Sequence, residues 1–307
     1  VMSNSFVIGS RGSKLALVQA EQVRSRLSAL NPGIEIRIEI IRTSGDVNSN
    51  PLSLIGGKGV FTKELEDALL GRRIDIAVHS LKDLPSSIPE GLALAAICER
   101  EDPRDALVLP QDSASQYHSL QDLPVNSLIG TSSPRRLAQL RHFRPDFTVR
   151  DLRGNVDTRL RKLDEGQYDA VVLATAGLKR LGFDGRISLA IPTDQMLPAV
   201  GQGAIGIETR AEADVLTVAG KVDHQETHQA CVAERALLRS LGGGCLLPIA
   251  AHAVVLGERL KMDGLVASRN GQQIVRQEIS GSTADAESLG NELAERLLAA
   301  GAQELLD

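Results

Sequence analysis

Two stretches of this chain recur in the same order with the same chemistry. Ile8-Gly9-Ser10-Arg11-Gly12-Ser13-Lys14-Leu15-Ala16 resembles Ile129-Gly130-Thr131-Ser132-Ser133-Pro134-Arg135-Arg136-Leu137-Ala138, with one residue inserted. Glu64 to Val78 reads helix, Gly71, then Asp75-Ile76-Ala77-Val78. Arg159 to Val172 reads helix, Gly166, then Asp169-Ala170-Val171-Val172. An ordered pair of matches constrains the fold strongly, because the first is a strand, a turn and a helix start and the second a helix, a turn and a strand. It implies two similar α/β lobes around a cleft, with ligand at the carboxyl ends of the strands.

The rest of the chain fits that frame. Phe6 to Gly9, Ile34 to Ile41, Ile74 to Val78, Ser127 to Gly130 and Tyr168 to Ala174 read as strands, being short β-branched runs between turn residues. Lys14 to Leu30 reads as a helix stopped by Asn31-Pro32-Gly33, and Thr62 to Leu70 as another. The polar run Glu99 to Asp105 is expected to be a hinge into the second lobe. Past residue 222 the pattern changes. One helix, Gln225 to Leu241, then three strands (Ala251 to Val255, Leu260 to Ala267, Gln273 to Ile279) and a closing helix, Ala284 to Ala300, give a small C-terminal α+β domain.

The loops after the strands carry the chemistry. Arg11 follows the first strand. Thr131-Ser132-Ser133 before Arg135 and Arg136 puts hydroxyls, backbone N–H groups and guanidinium groups at a helix N-terminus, which suits an anion. Arg153-Gly154-Asn155 with Arg159 repeats that recipe, and Arg180 follows the strand ending near Ala174. Any one Arg is ordinarily surface charge. Six in equivalent loops of a chain with net charge -5 imply a small ligand bearing several carboxylates or phosphates. Against them His79-Ser80-Leu81-Lys82-Asp83-Leu84-Pro85 places one carboxylate, Asp83, just past a buried strand. It is either a turn residue before Pro85 or a group facing developing positive charge.

Cys245 ends the run Gly242-Gly243-Gly244-Cys245. Three glycines let a thiol approach something bulky, so Cys245 is a buried small hydrophobe or a nucleophile and attachment point. Cys98 and Cys231 sit in apolar contexts and read as core. His224 and His228 are four apart, but the Glu position of H-E-x-x-H is displaced and no third ligand is near, so no metal is expected. Lys58 in Gly56-Gly57-Lys58-Gly59 lacks the P-loop spacing. With no Trp, two Tyr and five Phe, the chain lacks stacking platforms for nucleic acid, and its acidity excludes a general polyanion surface. No run approaches the length of a membrane span, no export signal is read, and the cysteines lack a C-x-x-C spacing. These features predict a soluble cytoplasmic protein with reduced thiols.

Five motifs together resemble the porphobilinogen deaminase family: Val78 to Pro85, Gly130 to Arg136, Leu152 to Val156, Ala176 to Arg180 and Val200 to Ala204. Gly243-Gly244-Cys245 is similar to that family's cofactor-attachment loop. The resemblance implies three domains, with lobes like type II periplasmic binding proteins. These are 1–99 completed by about 202–222, then 105–198, then 223–307 bearing Cys245. It implies a monomer that joins four porphobilinogen molecules into hydroxymethylbilane, in porphyrin and haem biosynthesis. A dipyrromethane primer would be held through a thioether to Cys245. Loss of ammonia gives a methylene-pyrrolenine cation, which Asp83 would stabilise. Lys82, Asp83, Thr131, Ser132, Ser133, Arg135, Arg136, Gly154, Asn155 and Arg159 would hold the cofactor. Arg11, Ser13, Arg153, Arg159, Arg180 and Phe61 would line the substrate side, and Asn48 to Lys58 would form a lid region. The rival from another class is a non-catalytic two-lobed receptor for a small polycarboxylate, which fold alone permits. A cysteine hydrolase is a weaker option, since no His has a convincing base role.

Overall fold

The computed structural model describes residues 5–44, 61–113, 119–244 and 247–306. The chain divides into two compact units, Val1–Arg100 with Ala204–His228, and Glu101–Gly203 with Gln229–Asp307. Among the described residues the first unit holds one five-stranded sheet. Its strands are β1 (Ser5–Ser10), β2 (Glu35–Ile40), β3 (Ile76–Ser80), β4 (Leu92–Ile97) and β10 (Ile205–Arg210), in the order β2-β1-β3-β10-β4. β2, β1 and β3 run parallel, and β10 enters antiparallel between β3 and β4. Helix α1 (Lys14–Leu30) begins where the Ser13 side chain accepts a hydrogen bond from Ala16 N, a standard N-cap. Its Gln19, Ala20, Val23 and Leu27 are buried, a spacing that turns one stripe to the core. Helix α2 (Lys63–Leu70) covers the sheet with Leu65 and Leu69.

The second unit opens with a sheet of the same plan. Its strands are β5 (Asp105–Val108), β6 (Leu128–Gly130), β7 (Thr148–Arg150), β8 (Ala170–Ala174) and β9 (Leu189–Ala190), in the order β7-β6-β8-β5-β9. Here too three strands are parallel and the fourth, β5, is antiparallel to its neighbours. The likeness extends to single bonds. Asp75 takes Val7 N on its side chain and gives its own N–H to Val7 O. Asp169 does the same with Leu128. Gly9 and Gly130 are matched as well, for a Cβ at either would lie 2.2 Å from Ile74 Cδ1 or 2.9 Å from Tyr168 Cδ1. Neither position has room for a side chain. The N-caps Ser13 and Ser133 align, and the loop before Ser133 is the shorter by one residue. Helices α3 (Pro134–Phe143), α4 (Val156–Asp164) and α5 (Thr175–Arg180) follow the strands.

After helix α6 (Ala213–Gly220) and helix α7 (Gln225–Ser240), β11 (Ile249–Leu256), β12 (Arg259–Ala267) and β13 (Ile274–Ser282) make an antiparallel meander. Helix α8 (Ala286–Leu297) packs on it through Leu289, Leu293 and Leu297, with Leu237 of α7 in the same core. The chain is thus two α/β lobes whose sheets share one plan, plus a small domain with a three-stranded sheet. That last domain shares a unit with the second lobe because Ala138, Leu197, Ala250, Leu265 and Ala267 form one apolar cluster. A buried Leu contributes about 1.5–3 kcal/mol. Among the described residues no helix is long and apolar enough to cross a membrane.

Two elements differ from expectation. Asp105 is not hinge but the first residue of β5, with 0% exposure; two arginines repay its burial, as described below. The closing helix ends early, at Leu297, and passes into a wider turn, Leu298–Ala302, where Gly301 has φ +99°. Cys245 and Asn48 to Lys58 lie outside the described residues.

Candidate functional site

In the first unit β1 and β3 are parallel neighbours, with Gly9 opposite Ala77, so the residues that follow them emerge from the same sheet edge. Arg11 follows β1, and its guanidinium stacks over the Phe61 ring at 4.0 Å from the centroid, a cation–π contact that fixes a long side chain. Lys82 and Asp83 occupy a single 3-10 turn, Leu81–Asp83, directly after β3, and both are half-buried. The turn is well anchored. Leu81 N donates to Ala204 O at 3.0 Å and Leu84 N to Leu81 O at 3.2 Å. Gln19 Nε2 donates to Ser80 Oγ at 2.9 Å. One residue earlier, His79 Nε2 and Glu208 Oε2 lie 3.0 Å apart, both buried. Ser13 spends its side chain capping α1.

In the second unit the ends of β6 and β7 are stitched together. Ser132 Oγ donates to Leu152 O and accepts from Leu152 N. Thr131 Oγ1 accepts from Ser133 N at 3.2 Å, and Ser133 Oγ accepts from Arg136 N at 3.4 Å at the start of α3. Gly154, at φ +111°, bends the chain so that its O receives Arg159 Nε at 2.7 Å. Asn155 is the residue before α4 and makes no side-chain cap bond. Arg153 Nε pairs with the exposed Asp151 at 2.7 Å, and Arg180 Nη2 donates to Gly203 O at 2.7 Å.

Arg135 and Arg136 differ from the open anion site that sequence spacing implies. They are only 5% and 6% exposed and both turn onto Asp105. Arg135 Nη1 donates to Asp105 Oδ2 at 2.7 Å and to Leu197 O at 2.8 Å. Arg136 donates to Asp105 Oδ1 through Nε at 2.9 Å and Nη2 at 2.7 Å, and to Val172 O at 3.0 Å. Gln202 Nε2 adds a bond to Asp105 Oδ1 at 2.9 Å. Burial by itself would raise the Asp105 pKa; the two guanidinium groups reverse this and hold it well below the usual carboxylate range. Arg136 moves down from its ordinary value, through burial first and Arg135 second, against the pull of Asp105. Among the described residues both guanidinium groups pair with the one carboxylate of Asp105, two cations to one anion.

That cluster has a pH signature. A carboxylate whose folded pKa is depressed stabilises the fold fully above its unfolded value, about 3.9, and loses that contribution as pH falls through the folded value. The stability difference between the parent and Asp105→Asn is therefore expected to stay constant from pH 7 to about 5 and to shrink below about 4. Urea unfolding across that range checks it.

Sequence reasoning missed Asp105, Gln202, Glu208 and Glu234. A lone acid next to an apolar run, as in Asp105-Ala106-Leu107-Val108 or Ile207-Glu208, is the signal that was there to read, since buried acids need partners. Cys98 and Cys231 are buried. His228 Nδ1 pairs with Asp223 Oδ1 at 2.7 Å, and His224 Nδ1 with Thr227 Oγ1 at 2.9 Å.

Comparison with known proteins completes the picture. The family model described as porphobilinogen deaminase, dipyromethane cofactor binding domain, matches residues 6–217. The porphobilinogen deaminase C-terminal domain matches residues 228–299. A porphobilinogen deaminase of Nostoc is 50% identical over 302 residues, 98% of this chain and 93% of that one. The Synechococcus elongatus protein of the same name is also 50% identical, over 98% of this chain and 94% of its own. Among solved structures, the open second substrate-binding domain of Lactococcus lactis GlnP is 14% identical. It covers 78% of this chain and 91% of its own, with a TM-score of 0.43.

Proposed function

This chain belongs to the porphobilinogen deaminase family, and from that premise we propose how its own residues divide the work. The protein is a transferase of tetrapyrrole biosynthesis, a hydroxymethylbilane synthase that deaminates porphobilinogen and joins four units head to tail, using a dipyrromethane cofactor. The receptor alternative is not favoured. When bound, the dipyrromethane supplies a tethered primer whose free α-carbon is the nucleophile.

The observation that carries the residue assignment is the pairing of two guanidinium groups with the one carboxylate of Asp105. Each ring of the cofactor bears an acetate and a propionate, and a carboxylate beside Arg135 and Arg136 balances a buried positive charge that Asp105 alone does not. The donor set therefore fits the group. Thr131, Ser132, Ser133, Gly154, Asn155 and Arg159 of the second unit serve the cofactor's acidic side chains, Lys82 of the first unit is assigned to the cofactor by the family resemblance, and Cys245 is the attachment point. Asp83, in the braced turn that follows β3, accepts from pyrrole N–H groups and stabilises the positive charge that develops as ammonia leaves. Arg11, held by Phe61, and Ser13 bind incoming carboxylates from the first unit, and Arg153 and Arg180 of the second unit are assigned to the substrate by the same family resemblance. Taking three domains at 1–99 with about 202–222, 105–198 and 223–307 agrees with sheet membership, β10 lying in the first sheet. We take the protein to be cytoplasmic and monomeric, without nucleic-acid partners; sedimentation at working concentration tests its size.

The arginine assignment predicts a split. Arg135→Lys and Arg136→Lys keep charge but lose the fork, and should cut cofactor content as read by intact mass. Arg11→Lys and Arg153→Lys should keep the cofactor mass and lose roughly tenfold or more in kcat/KM, the scale of one charged hydrogen bond, about 1.5–3 kcal/mol. Full cofactor content and parental kinetics in all four variants would reduce these arginines to structural charge.

A further inference from the structure

The segment Gly201-Gln202-Gly203 carries more buried polar bonding than a connection requires. Gly201 and Gly203 have φ +69° and +89°, conformations that favour glycine, and Gln202 between them is 1% exposed. Gln202 Nε2 donates to Pro103 O at 2.7 Å as well as to Asp105. Gly201 N donates to Glu234 Oε2 at 2.7 Å, and the other oxygen, Oε1, accepts from Ala253 N of β11 at 2.8 Å. Glu234 lies on α7 with 0% exposure. Hydrogen bonds thus run from β11, through a carboxylate of α7, through Gly201 and Gln202, to Asp105 and its two arginines. All of these residues belong to the second unit, and α7 ends at Ser240, five residues before Cys245 in the sequence.

We propose that Glu234 and Gln202 are positioning residues for cofactor capture, setting the Asp105–Arg135–Arg136 cluster relative to the helix that precedes the attachment cysteine in the sequence. The inference rests on the reading of Arg135 and Arg136 given above. A carboxylate can accept N–H groups from two separate elements and brings no donor of its own; a carboxamide turns an NH2 toward one of them. In a site without exposure that N–H is not rehydrated, so the segment must move. Displacements of about 1 Å at a distance from the reacting atoms cost up to roughly 100-fold in rate.

The test uses apo protein exposed to porphobilinogen, with intact mass followed over time to give the rate of dipyrromethane uptake, and circular dichroism and melting temperature to report folding. Glu234→Gln and Gln202→Met are each expected to slow uptake by about tenfold or more while remaining folded at the assay temperature. The double variant is expected to be no more than about twofold slower than the worse single one, because the two act in series. A purely structural role would lower the melting temperature and leave uptake per folded chain unchanged. Parental uptake in the folded single variants overturns the proposal, as do losses that multiply in the double variant. If Glu234→Gln does not fold, Gln202→Met decides alone. Arg136→Lys measured alongside separates the two failures: slow uptake there with normal uptake in the others removes only the relay, whereas normal uptake in all three removes the arginine reading too.

Discussion

Asp83→Asn, measured on protein carrying its full complement of cofactor, is expected to lower turnover at saturating porphobilinogen by about 100–1000-fold, the loss typical of one preorganised electrostatic partner. The substitution nearly preserves shape and hydrogen-bonding capacity and removes only the negative charge. Because the interaction strengthens as positive charge develops, kcat should carry the effect while KM moves little. The surroundings make this a clean experiment. The turn is held by Leu81 N to Ala204 O on one side and by Ser80 with Gln19 on the other, so neither bond depends on the Asp83 carboxylate. An Asp that only shaped the turn before Pro85 would show the opposite pattern, with a lower melting temperature and turnover intact. A stable, fully active variant ends the assignment.

Cys245→Ser is expected to give a folded chain without the mass increment of a dipyrromethane and with almost no activity. A hydroxyl at neutral pH is a far poorer nucleophile than a thiol, whose ordinary pKa near 8.5 leaves a usable thiolate fraction. The competing thiols are poor substitutes: Cys98 is 3% and Cys231 0% exposed, both inside apolar cores. A normal pyrrole increment in Cys245→Ser would transfer the attachment to one of them, and peptide mapping would show which.

The repeat announced the two lobes because it marks places where the fold is tightly constrained. Gly9 and Gly130 sit where a Cβ would strike a neighbour, and Asp75 and Asp169 each close the same two-way bond to the first strand of their sheet. Such constraints leave a written trace. Loop arginines were legible for a different reason, since clustered charge in an acidic chain is conspicuous. Where their side chains turn was not legible. Arg135 and Arg136 stand on the first turn of a helix in sequence, yet what decides their direction is Asp105, 30 and 31 residues away. Asp105 itself was hidden in a run of charged residues that looked like solvent-exposed linker. Glu234 was hidden in a helix pattern where an acid normally faces water. Long-range pairing of this kind has no local period, so pattern reading passes over it.

The sheet order of the first lobe has a consequence for how the chain is made. β10 lies between β3 and β4, yet it leaves the ribosome after the whole of the second lobe's sheet, β5 to β9, has been synthesised. Until residues 205–210 emerge, β3 and β4 have no common neighbour and each presents an unpaired edge, the kind of surface that invites pairing with another chain. The last strand of the second sheet is therefore synthesised before the last strand of the first, the reverse of the order in which the two sheets begin. The strand that leads into Asp83's turn thus gains its second neighbour only from Ala204 and the strand that follows it, more than 120 residues further along the chain.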